Sequence, residues 1–162
     1  MEQKDVEFIV GELLCKHNLT ISTTESCTGG MIASKLISYP GISKVYLEGA
    51  VTYSNKSKVK KLGVKEETLS KYGAVSEQTA REMAEGMLRE SGSLVSISTT
   101  GIAGPEGGTV EKPVGLVYIG LCMKGRTIVE RCVFSGDRNQ VRKEATNYAL
   151  NMLRKVLLGM EN

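Results

Sequence analysis

The sequence predicts an α/β fold, a three-layer α/β/α sandwich around a mixed, mostly parallel sheet. Three observations carry that prediction. Helical and extended patterns alternate along the 162 residues, the arrangement by which helices cover both faces of a sheet. One pair of extended segments, 114–121 and 127–134, is separated only by a tight turn at Lys124-Gly125, so it forms an antiparallel hairpin. No linker, repeat or low-complexity stretch interrupts the chain, and residues 1–162 are expected to form a single domain.

The elements follow in order. Residues 3–17 read as an amphipathic helix, with Val6, Ile9, Val10, Leu13 and Leu14 on one face and His17 near its end. Residues 19–24 read as a strand and 28–38 as a helix stopped by Tyr39-Pro40-Gly41. Leu47 to Tyr53 is a strand, after which Ser54-Asn55 caps a short helix near 56–61. A second short helix runs from Glu66 to Lys71, and Ser76 opens a longer one with Ala80, Met83, Ala84, Met87 and Leu88 at helical spacing. Leu94 to Thr99 is an apolar-rich strand leading into the glycine-rich loop Gly101 to Gly108. Asp137 and Gln140 form a capping box that opens the last helix, whose buried stripe is Val141, Ala145, Tyr148, Ala149, Met152 and Val156. In such folds sites lie beyond the carboxyl ends of the strands, which singles out loops 25–30, 53–58, 100–113 and 135–142.

Composition excludes several function classes. The hydrophobic share of 41% supplies a core, and the net charge of +3 is mild. Lys56, Lys58, Lys60 and Lys61 cluster, yet a chain with no Trp and two Phe has few stacking platforms, so nucleic acid is not the expected partner. No apolar run approaches the ~20 residues of a membrane span. The polar start Met1-Glu2-Gln3-Lys4-Asp5 does not read as a signal peptide. Cys15, Cys27, Cys122 and Cys132 show no CxxC spacing and are expected as reduced thiols in a cytoplasmic protein. His17 is the only histidine, and Asp5 and Asp137 are the only aspartates. A histidine-based triad and a His-rich zinc site are therefore disfavoured, and no metal or organic cofactor is expected. A serine or cysteine hydrolase built from this chain would use a lysine as its base.

Four segments carry candidate chemistry. In Glu25-Ser26-Cys27-Thr28-Gly29-Gly30 a strand gives way to a helix, so either Ser26 or Cys27 can be presented as a nucleophile beside free backbone N–H groups. The same run is equally compatible with a Ser26 or Thr28 helix cap followed by small residues. Tyr53-Ser54-Asn55-Lys56-Ser57-Lys58 lets Lys58 point back toward that turn; taken alone, the segment reads better as a solvated helix face. Gly101-Ile102-Ala103-Gly104-Pro105-Glu106-Gly107-Gly108 matches neither the P-loop nor the dinucleotide fingerprint, but allows close approach of a ligand. Phe134-Ser135-Gly136-Asp137-Arg138-Asn139-Gln140-Val141-Arg142 places two arginines one turn apart at a helix start, which suits a phosphate.

In this order the motifs ESCTGG, YSNxxK, GIAGPxGG followed by KPVG, and FSGDRxxVR resemble the C-terminal domain of the competence/damage-inducible CinA proteins. The resemblance runs from about Val6 to the last helix. Stand-alone members of that family are nicotinamide-nucleotide amidases, Ser/Lys hydrolases that convert nicotinamide mononucleotide to nicotinate mononucleotide and ammonia. The nucleotide-hydrolase domain that longer members carry at their N-terminus is absent from this sequence, so its activity is not implied. By motif match the resemblance implies Ser26 as nucleophile, Lys58 as base and Tyr53 as a further catalytic position. Thr28, Gly29, Gly30, Thr100, Gly101, Gly104, Arg138 and Arg142 are implied on the substrate side, with Arg142 favoured for the phosphate. Thr100 stands where relatives often carry serine, and a contribution to the oxyanion site is expected of it. The family fold is a three-layer α/β/α domain, and the resemblance implies a homodimer. Two rivals to the serine amidase remain at this point: a thiol amidase using Cys27, and a non-catalytic pyridine-nucleotide-binding or regulatory module.

Overall fold

A computed structural model describes residues 4–161. The sheet has five strands: β1 (Ile21–Glu25), β2 (Tyr46–Val51), β3 (Val95–Gly101), β4 (Leu116–Met123) and β5 (Arg126–Val133). Their spatial order is β2-β1-β3-β4-β5. β1 runs parallel to both β2 and β3; β4 is antiparallel to β3, and β5 to β4. Four of the five strands thus share one direction, and the hairpin strand β4 alone opposes them, as the Lys124-Gly125 turn requires. Lys124 and Gly125 both take positive φ there, 53° and 74°, the geometry that matches the twist of a tight hairpin.

Among the described residues six α-helices complete the layers: α1 (Val6–Lys16), α2 (Met31–Ile37), α3 (Asn55–Leu62), α4 (Glu66–Tyr72), α5 (Glu77–Ser91) and α6 (Arg138–Gly159), with a short 3-10 turn at Ile42–Lys44. α1, α2 and α6 pack together on one face of the sheet; α5 covers the other, with α3 and α4 against it. The expected helix over 3–17 begins at Val6, and its first residue lies outside the described residues. His17 closes α1, with Nε2 2.6 Å from Glu161 Oε1. Ser54 and Ser76 cap α3 and α5 through their side chains, and the Asp137–Gln140 capping box opens α6.

The two faces of the sheet are built differently. On the α1/α2/α6 side Val10, Leu14, Ile21, Ile32, Leu36, Ile97, Ile119, Val141, Leu150 and Leu153 form the main apolar core. On the α5 side the apolar cluster is small: Leu62, Val64, Met83 and Met87. There the strands present hydroxyls instead. Ser96 Oγ donates to the Ala84 carbonyl at 2.5 Å and Ser98 Oγ to the Ala80 carbonyl at 2.6 Å, both inside α5. Gly120, opposite Ser98 in the register, allows this close approach; a Cβ there would stand 2.5 Å from Ser98 Oγ.

Candidate functional site

Alternation along β1 sorts its side chains between the two layers. Thr23 and Glu25 turn toward the α2 side, and Thr24 turns to Thr52, hydroxyl to hydroxyl at 2.8 Å. Ser26 continues the Thr24 side just beyond the strand. There it meets Lys58 from α3, whose Nζ lies 3.2 Å from Ser26 Oγ. The lysine is not on a solvated face: it is 1% exposed, one of the largest side chains the fold buries completely. Its side chain leans toward the start of α3, as helical side chains do, and Nζ donates to the carbonyls of Thr52 at 2.8 Å and Tyr53 at 2.9 Å.

Burial pushes the Lys58 amine down from its usual 10.5 to about 8. The neighbouring Lys56 and Lys60, one possible source of such a shift, play no part in it; Lys61 is paired with Glu48 at 2.6 Å. A neutral amine has two hydrogens and one lone pair. The two carbonyls match the two hydrogens, which leaves the lone pair for the Ser26 hydroxyl. Cys27, by contrast, is 5% exposed, and burial raises its thiol to about 11. A thiol so protonated is a poor nucleophile at neutral pH.

The turn after Ser26 is held from two sides. Glu25, 1% exposed, accepts from Thr28 Oγ1 at 2.6 Å, Ile32 N–H at 2.9 Å and Ala33 N–H at 3.2 Å. This corrects the expectation of a Ser26 or Thr28 cap: Gly30 occupies the cap position of α2 without a side-chain bond, and the first free amides go to a carboxylate from the preceding strand. Thr28 is buried and also bonds Thr99 Oγ1 at 2.8 Å. From the other side Arg142 donates through Nε to the Cys27 carbonyl at 2.9 Å and through Nη2 to the Thr28 carbonyl at 3.4 Å. Gly29 and Gly30 have φ of 58° and 99°, left-handed values that a Cβ would strain.

A pocket of about 230 Å³ opens beside the Ser26–Gly30 turn, lined by Cys27, Tyr53, Gly101, Ala103, Gly104 and Arg138 among others. Arg138 spans its rim, donating to the Gly104 carbonyl at 2.8 Å and to the exposed Tyr53 hydroxyl at 3.2 Å. Tyr53 therefore meets the lysine through its carbonyl and the pocket through its phenol. Thr100 is not brought to Ser26: its hydroxyl donates to the Ala74 carbonyl at 2.7 Å, ahead of α5. Arg142, favoured from sequence for a phosphate, directs Nε and Nη2 at the turn carbonyls, and Arg138 is the arginine at the pocket. Among the described residues no group of three or more His, Cys, Asp or Glu side chains is placed to hold a metal ion, and no helix is long and apolar enough to cross a membrane.

Sequence reasoning missed Glu25, Thr52 and Thr99. Glu25 was hidden because the expected strand ended at residue 24 and Ser26 or Thr28 offered themselves as the cap; in the structure Glu25 is the last residue of β1 and takes that role. Thr52 and Thr99 act through a carbonyl and a hydroxyl bond that only the register reveals.

Comparison with known proteins bears on the family and the fold. The family model described as the CinA C-terminal domain matches residues 3–157. A Clostridium beijerinckii protein whose name places it among competence-damage inducible proteins is 60% identical over 157 residues, which cover 97% of this chain and 38% of that protein. This chain thus spans little more than a third of the length of the curated relatives it matches. Among solved structures, the competence/damage inducible protein CihA from Agrobacterium tumefaciens is 40% identical with a TM-score of 0.89, covering 97% of this chain and 98% of that one. The CinA superfamily protein KP700603 from Klebsiella pneumoniae is 34% identical with a TM-score of 0.91, covering 95% and 96%.

Proposed function

We propose that this chain, which belongs to the CinA C-terminal domain family, hydrolyses the carboxamide of nicotinamide mononucleotide to nicotinate mononucleotide and ammonia. The observation that carries the reading is the buried Lys58 amine, lowered to about 8 and 3.2 Å from Ser26 Oγ. Few structural roles require a lysine to be buried without an acidic partner, whereas a general base requires a neutral amine near working pH.

In this reading Ser26 Oγ attacks the carboxamide carbon while its proton passes to Lys58 Nζ. The carbonyl pair moves onto oxygen. On collapse the C–N bond breaks, and the proton held by Lys58 goes to the leaving nitrogen, releasing ammonia. Water then attacks the acyl-serine, again giving its proton to Lys58, and the serine is restored as the C–O bond to Oγ breaks. The pyridine ring enters the pocket beside Gly101 and Gly104, and Arg138 at the rim takes the phosphate. Charge-assisted contacts of that kind contribute about 1.5–3 kcal/mol. No metal or organic cofactor takes part, and the chain acts as a cytoplasmic homodimer.

The test is ammonia release from nicotinamide mononucleotide, with nicotinamide riboside as control, before and after iodoacetamide. Iodoacetamide-insensitive release that Ser26→Ala abolishes supports the reading. Release that iodoacetamide stops would point to Cys27. Tight binding of the mononucleotide without release would make the chain a pyridine-nucleotide-binding module instead.

A further inference from the structure

The pocket beside Ser26 is lined by one basic residue, Arg138, and one acidic residue, Glu106. The two do not neutralise each other. Arg138 directs its guanidinium at the Gly104 carbonyl at 2.8 Å and the Tyr53 hydroxyl at 3.2 Å. Among the described residues no ion pair joins Glu106 to a cation. The other carboxylate of this region, Glu25, is 1% exposed and already engaged by Thr28 Oγ1 and the Ile32 and Ala33 N–H groups. Glu106 is exposed, on a loop tied down on either flank. The Gly104 carbonyl, two residues before it, is held by Arg138, and Thr109 N–H, three residues after it, donates to the Lys112 carbonyl at 2.7 Å. Tyr53 is the one aromatic residue of the same lining.

A pyridine mononucleotide has its own order of charges. The ring nitrogen bears the ribose and is quaternary, so the pyridinium ring is a cation at every working pH, and the phosphate beyond the ribose is an anion. From the carboxamide outward the groups are neutral, positive and negative. With the carboxamide at Ser26 and the phosphate at Arg138, the positive ring lies between them, in the space that Glu106 and Tyr53 line. Arg138 alone would repel that ring. A carboxylate in the same lining offsets the repulsion, by a modest amount because solvent screens an exposed charge. A tyrosine ring attracts a cation through its quadrupole. One acid and one aromatic ring are thus the groups a cationic ring calls for, placed in the pocket where the phosphate-binding arginine stands.

We infer that Glu106 and Tyr53 are specificity-determining residues that select the oxidised, cationic pyridinium ring over the neutral dihydropyridine ring of the same mononucleotide. The inference rests on the amidase reading. The two forms carry the same ribose, phosphate and carboxamide, so Arg138, Ser26 and Lys58 meet the same groups in each. The ring charge is what differs, and it falls to the residues around the ring to read it.

The test measures kcat/KM for ammonia release from nicotinamide mononucleotide and from its 1,4-dihydro form at about pH 8. The proteins are wild type, Glu106→Gln, Tyr53→Leu and Tyr53→Phe. The two amides differ in intrinsic reactivity, but that difference cancels when each variant's oxidised-to-reduced ratio is divided by the wild-type ratio. Glu106→Gln should lower the ratio by about 2–10-fold, mostly through KM. Added salt should lower the wild-type ratio toward that of the variant, because it screens the carboxylate. Tyr53→Leu should lower the ratio by a similar factor. Tyr53→Phe, which loses the bond to Arg138 but keeps the ring, should hold the wild-type ratio; a fall as large as that of Tyr53→Leu would trace the effect to the hydroxyl and overturn the part given to the ring. An unchanged ratio in Glu106→Gln or in Tyr53→Leu overturns the assignment of that residue, whatever happens to the absolute rates. If wild type releases ammonia from neither form, the amidase reading fails and equilibrium binding of the two forms decides. Preferential binding of the oxidised form that Glu106→Gln weakens supports the cation site. Equal binding, a preference that survives the substitution, or no binding of either form rejects it.

Discussion

On the amidase reading, Lys58 links catalysis to pH through one buried amine. As a base it works only when neutral, so kcat/KM should rise with pH through about 8, the value burial gives it, and level off above. Lys58→Arg should be as inactive as Lys58→Ala, because arginine keeps a charge it cannot release in this range; an active arginine variant would show that the side chain only binds charge. The same shift works on folding with a definite sign. The folded pKa is depressed below the unfolded value, so between about 8 and 10.5 the unfolded chain holds the extra proton and stability rises with pH. The buried charge therefore costs stability below pH 8, on the order of 3 kcal/mol. Lys58→Met should lose this slope, as urea midpoints at pH 7 and pH 10 would reveal. At Ser26 the expectation is loss of the chemical step in a folded Ser26→Ala variant, while Cys27→Ala keeps most activity, measured as single-turnover ammonia release. Motif order and the scarcity of histidine and aspartate singled out Ser26 and Lys58 as a pair, and what the structure adds is their contact at 3.2 Å. The burial of Lys58 was not legible. Its helix carries four lysines against two apolar residues, Val59 and Leu62, and only packing beneath the ends of β1 and β2 takes the amine out of water.

At the level of elements, the expected helices and strands are present, and the differences lie at their ends. The helix after the Ser26–Gly30 turn begins at Met31 rather than 28, because residues 26–30 are folded into a turn that Glu25 and Arg142 hold from either side. Its amides are capped from across the turn by Glu25, a long-range device that local capping rules do not anticipate. Glu25→Gln keeps the shape but replaces a charged acceptor with a neutral one. It should lower stability by about 1–2 kcal/mol, read from urea denaturation, and slow Ser26 chemistry by loosening Thr28. α6 was fully legible at its start: the capping box needs only residues 137–140. Asp137→Ala should cost about 0.5–2 kcal/mol. It should also raise KM for the mononucleotide, because Arg138 sits in the first turn that the cap secures. Calorimetry and steady-state kinetics on the one variant check both.

For the molecule as a whole, alternation gave the layers and the tight turn gave the hairpin, but strand order was not written in either. It follows from crossovers that bring β1 to lie between β2 and β3, the placement that sets Ser26 beside both the lysine helix and the glycine-rich loop. The proposed Ser26/Lys58 chemistry calls on no bound ion, so activity should survive exhaustive chelation; a loss that zinc or magnesium restores would overturn the metal-free reading. The hydroxyl-lined face beneath α5 has a thermodynamic consequence. Exposing polar groups on unfolding lowers the heat-capacity change that apolar exposure raises. A sheet attached to its covering helix by serine hydroxyls instead of aliphatic packing should unfold with a heat-capacity increment below the ~2 kcal/mol/K that about 12 cal/mol/K per residue gives for this length. Its stability curve should then be broad and shallow, holding nearly level across temperatures where a valine-rich sheet would already be curving, and Ser96→Val with Ser98→Val should steepen that curve in scanning calorimetry if the helix can yield to the added methyl groups.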